Sequence, residues 1–89
     1  MKALLVTERW PDAGEIQSHL TKVLNKKVIL SPLGLCITLI SQGNVNQVIF
    51  DERIDKQFIK MLKSLYPELE IGMIGISLNY EEQNAIRWS

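Results

Sequence analysis

Four short apolar runs, each unbroken by charge, alternate with longer segments of helical periodicity. No other feature constrains the chain as much. The runs are Ala3-Leu4-Leu5-Val6, Val28-Ile29-Leu30, Val48-Ile49-Phe50 and the stretch from Ile71 to Ile76, which Gly72 and Gly75 loosen. A continuous apolar run fits a strand covered on both faces, as in a parallel sheet. Alternation of such strands with helices specifies right-handed crossovers, with helices on both sides of the sheet.

The intervening segments carry helix signals. Asp12 and Glu15 make a capping box, followed at helical spacing by Ala13, Ile16, Leu20, Val23 and Leu24, with Lys26 and Lys27 at the C-terminal end. Leu33 to Ile40 is almost wholly apolar and reads two ways. Ser31 as N-cap, Pro32 at the first helical position and Gly43 as terminator favour a helix. The β-branched Ile37, Thr38 and Ile40 suit a strand, with Ser41 to Asn44 turning into the next one. The helix reading preserves the alternation and is the one adopted. Asp55 caps a third helix containing Phe58, Ile59, Leu62 and Leu65, and Pro67 ends it. Lys56, Lys60 and Lys63 share one face of it, as a solvated surface or a docking one. Asn79 with Glu82 forms another capping box, so Ala85, Ile86 and Trp88 are expected to open a fourth helix.

Composition narrows the function classes. The 89 residues suffice for one small domain, spanning 1–89, and a 46% hydrophobic content excludes disorder. Ten basic and ten acidic side chains cancel, which argues against direct nucleic-acid binding. One cysteine, Cys36, and one histidine, His19, give no zinc-ligand spacing and no catalytic constellation. Cys36 is expected to be a small buried side chain and His19 a surface one. No metal site or cofactor is expected. No signal-peptide core or membrane span is legible, and the reading is of a cytoplasmic protein.

Asp51 ends the Val48-Ile49-Phe50 run, where open α/β sheets place their chemistry. Leu4-Leu5-Val6-Thr7-Glu8-Arg9, Val48-Ile49-Phe50-Asp51, the stretch from Pro67 to Ile74 and that from Glu81 to Arg87 together resemble a two-component receiver domain over nearly the whole chain. The resemblance implies a flavodoxin-like open parallel sheet of order 2-1-3-4, with the family's fifth strand and helix absent. It makes Asp51 the candidate phosphoacceptor, with Glu8 and Glu52 as the candidate acidic pocket.

A working receiver holds Mg²⁺ with an acidic pair after the first strand. Here Thr7-Glu8 stands in that place, one carboxylate short, and magnesium wants hard oxygen ligands. The position of the family's phosphoryl-binding Thr or Ser falls on Gly75, with Ser77 two residues away, and no fifth-strand lysine follows. The expected function is therefore a non-enzymatic pseudo-receiver, a regulatory docking module. The alternative is a Mg²⁺-dependent phosphoacceptor domain using Asp51. If Asp51 is structural, it caps a turn or pairs with Arg53 or Arg9. A missing fifth strand would leave the fourth as an open edge. Ile71, Met73, Ile74, Ile76, Ile86 and Trp88 are thus the expected interface, for a homodimer or a protein partner.

Overall fold

The apolar runs form strands because each buries both of its faces. In β1 (Lys2–Val6), Leu4 and Val6 enter one core cluster while Ala3 and Leu5 enter a second on the opposite side of the sheet. The computed structural model describes residues 2–8, 10–75 and 86–88. Its strands β1, β2 (Val28–Ser31), β3 (Val45–Asp51) and β4 (Glu70–Ile74) are parallel, and β5 (Ile86–Trp88) runs antiparallel to β4. The order across the sheet is β2-β1-β3-β4-β5.

Helices α1 (Trp10–Leu24), α2 (Leu33–Ser41) and α3 (Lys56–Leu65) cover the two faces. On one face, Ile16 and Leu20 of α1 pack on Ala3, Leu5, Val28, Ile49 and Ile74. On the other, Cys36 and Ile40 of α2 and Leu62 of α3 pack on Leu4, Val6, Val48, Phe50 and Ile71. Phe58 of α3 meets Phe50 edge to face, with ring centroids 6.2 Å apart and an interplanar angle of 74°. None of the helices among the described residues is long and apolar enough to cross a membrane.

The ambiguous segment is a helix, as its alternation with strands required. Its N-cap is Pro32 rather than Ser31, and no side chain of its own caps it. Gly43 follows the helix at φ 88° and Asn44 at φ 67°, two left-handed residues that turn the chain into β3. Asp55 caps α3 as expected, accepting a 2.9 Å bond from the Gln57 N–H. Helix α1 starts at Trp10, so Asp12 lies inside it instead of capping it, and it ends at Leu24, before Lys26 and Lys27.

The expected end of the sheet needs the largest correction. Ile86 and Trp88 do not open a helix; with Arg87 they form a fifth strand. Residues 76–85, with Ile76, Ser77 and the Asn79–Glu82 box, lie outside the described residues. The fourth strand is therefore not an open edge, because Gly72, Met73 and Ile74 pair with Trp88, Arg87 and Ile86. The pairing needs a glycine opposite Trp88. A Cβ on Gly72 would stand 2.8 Å from Ile86 Cγ2 and 2.9 Å from Trp88 Cε3. The two β5 side chains occupy the space above it.

The opposite edge is closed in another way. Lys27 O and Ser31 O accept from the N–H groups of Ala3 and Thr7, so the odd-numbered residues of β2 bond to β1. Val28 and Leu30 then point their backbone groups outward. The Gln17 side-chain amide of α1 donates to Val28 O at 2.7 Å, and Pro32 ends the strand.

Candidate functional site

Strands β1 and β3 lie side by side, and from β1 the chain turns outward to β2 and then back across to β3. The strand order therefore reverses between them, which is where open α/β sheets form a ligand crevice at the carboxyl ends. Thr7 follows β1 directly and Asp51 is the last residue of β3, so this topology brings the two together. The Thr7 hydroxyl donates to Asp51 Oδ2 at 3.0 Å. The Arg53 backbone N–H donates to Asp51 Oδ1 at 2.9 Å, and the Ile54 N–H donates to the Asp51 carbonyl at 2.9 Å. Asp51 thus closes the turn between β3 and α3, through the backbone of Arg53 and not its guanidinium. Arg9 lies outside the described residues.

The bond between Thr7 and Asp51 is sealed from solvent. Thr7 is 1% exposed and Asp51 2%. A buried polar group of this kind is stabilised only when its hydrogen bonds are made, and both Asp51 oxygens have a donor. The flanking backbone is tied as well: the Thr7 N–H donates to Ser31 O at 3.2 Å and the Glu52 N–H to Ile74 O at 3.1 Å.

Glu8 follows Thr7 but serves a different element. Its Oε1 accepts from the Leu33 N–H at 2.9 Å, at the first residue of α2. A carboxylate there satisfies one of the orphan donors of the helix start and meets the positive end of the helix dipole. The capping that Ser31 was expected to supply comes instead from a residue far away in sequence. The Ser31 hydroxyl donates to Pro32 O at 2.8 Å.

The structure therefore brings Asp51 to Thr7 and directs Glu8 to α2. Among the described residues, no three His, Cys, Asp or Glu side chains come together as a metal site requires. Gly75 is buried beside the end of β4. Of the expected interface residues, Ile71 and Ile74 are in the core, Met73 packs against one core cluster and Ile86 against the other. Trp88 is 41% exposed at the sheet edge.

The residue that sequence reasoning undervalued is Thr7, read there only as a lost carboxylate. Its signal was available: two polar residues, each closing an apolar run, on strands that the order 2-1-3 makes neighbours. A cleft of about 440 Å³ lies at the other end of β3, lined mainly by Ile40, Val45, Leu65, Tyr66 and Leu69, far from these groups. Comparison with family models, with curated proteins and with solved structures gives no match.

Proposed function

We propose that the chain is a non-enzymatic docking module with a degenerate receiver architecture, a flavodoxin-like sheet whose phosphoacceptor position has become structural. The observation that carries this reading is the Thr7–Asp51 hydrogen bond, shielded from water at both ends. A phosphoacceptor must offer a free carboxyl oxygen to an incoming phosphoryl group, with a cation to offset the charge that develops. Here Oδ2 is held by a hydroxyl and Oδ1 by a backbone N–H. Thr7 stands where a working receiver carries a carboxylate. A hydroxyl donating to Asp51 satisfies it within the protein, whereas a carboxylate would share a metal ion with it. Glu8, the other member of that pair, caps α2. The topology and the position of Asp51 support a receiver ancestry; the bonding of Asp51 supports a retained fold without the phosphorylation chemistry.

The test is direct. The protein is incubated with acetyl phosphate and Mg²⁺, and its intact mass is measured. No stoichiometric adduct is expected. An adduct that disappears in Asp51→Asn overturns the docking reading and establishes Asp51 as an Mg²⁺-dependent phosphoacceptor.

A further inference from the structure

We infer that the outer face of α2 is a self-association surface, packing against α2 of a second copy of this chain. This deepens the docking reading by naming the partner and the surface. From Val28 through Phe50 the sequence contains no Asp, Glu, Lys, Arg or His. For β3 this follows from burial at the centre of the sheet. For α2 it does not, because α2 is a surface helix.

Gly34, Leu35, Thr38 and Ser41 are exposed, Leu35 at 53%, and Leu33, Ile37 and Leu39 are only half buried. A surface helix ordinarily turns a charged face to water, and the other two do. Helix α1 carries Glu15 and Lys22 on exposed positions, and α3 carries Lys56, Lys60 and Lys63.

The missing charge selects the occupant. A partner face bearing charge would have to desolvate it against leucines with no counter-charge to meet it. The partner must therefore be uncharged over the length of a short helix. Among the described helices of this chain only α2 meets that condition, so a second copy supplies a matching face by symmetry. Homodimer interfaces are also the more apolar class.

The shape is suitable. Gly34 and Thr38 lie one helical turn apart, and a Cβ on Gly34 would meet nothing within 4 Å. These small residues let two helix backbones approach closely, with Leu35 and Leu39 along one side of them and Ile37 along the other. On α3, over the same sheet face, Met61 at 42% and Leu65 at 58% are further exposed apolar side chains. The β2 edge offers a poorer route, since Gln17 with Pro32 blunts it.

Sedimentation equilibrium of the wild type is expected to give twice the mass of one chain. Leu35→Lys and Thr38→Lys, both at exposed positions, should each weaken the dimer by about tenfold or more with the far-UV circular dichroism unchanged. Gln17→Ala, which frees the β2 edge, should leave it unchanged. Concentration-dependent amide shifts of the wild type provide a reading that needs no variant, and they should fall on Leu33–Ser41. A wild type that is monomeric at its highest soluble concentration overturns the inference. So does a dimer that survives both lysine variants, a dimer that Gln17→Ala tightens, or amide shifts located elsewhere. The phosphodonor assay is independent of all these outcomes, so the dimer and the docking reading fail separately.

Discussion

At the scale of single residues, the side chains at the end of β3 divide the work of holding the sheet. Phe50 is fully buried between α3 and the strands, and Phe50→Ala should cost about 3–5 kcal/mol, as large aromatic truncations in cores do. Thr7→Val keeps the shape and removes the donor to Asp51, leaving a buried acceptor short of a bond at about 1–3 kcal/mol. Urea denaturation of the two variants measures both costs. A neutral Thr7→Val would mean that Asp51 finds another donor. Cys36 makes a separate prediction. Burial pushes its thiol from an ordinary 9.0 up to about 11. The unfolded chain then loses this proton at a lower pH than the folded protein does. The contribution of Cys36 to stability is full below pH 9 and declines as the pH rises toward 11. The stability difference between wild type and Cys36→Ala, measured across that interval, should shift against the wild type as the pH rises. A constant difference would show that the buried thiol does not titrate there.

At the scale of elements, β5 and α2 depend on residues far from them in sequence. The short β5 has three residues and no propensity sufficient to hold it alone. It is seated by pairing with β4 and by the space above Gly72 that Ile86 and Trp88 fill. Gly72→Val should displace it. In a Trp10→Phe background, the emission of Trp88 should shift to the red, because the indole moves from protein to water. An unshifted spectrum would place the seat of Trp88 elsewhere than over Gly72. These elements also mark where local reading succeeded and failed. Pro32 and Gly43 made α2 legible as a helix, since such starts and terminators act within a few residues, although Ser31 does not cap it. Asn79, Glu82, Ile86 and Trp88 read equally locally as a helix start, yet residues 86–88 are a strand. Three residues carry too little periodicity to distinguish the two, and the open edge of β4, with its unpaired backbone groups, decided in favour of the strand.

At the scale of the whole molecule, the two apolar clusters share the same strands. Leu4 and Leu5 are neighbours in β1 and face opposite ways, as do Ile49 and Phe50 in β3. Neither face can be lost without exposing the back of the other. Leu20→Ala beneath α1 and Leu62→Ala beneath α3 should therefore each lower stability by about 2–5 kcal/mol in a single transition. Coincident curves by circular dichroism and fluorescence would establish that; separated curves would show that the faces unfold independently. The sequence by itself determined the parallel core, the three helices and the covering of both faces. These follow from local periodicity, from burial on both sides of each strand and from the handedness of L-residues. Only the tertiary structure decided that Thr7 bonds Asp51, that Glu8 caps α2 and that β5 pairs with β4. Each of these joins groups from separate elements. Their meeting depends on which strand ends lie adjacent and on how much space a neighbour leaves, which no stretch of sequence specifies alone.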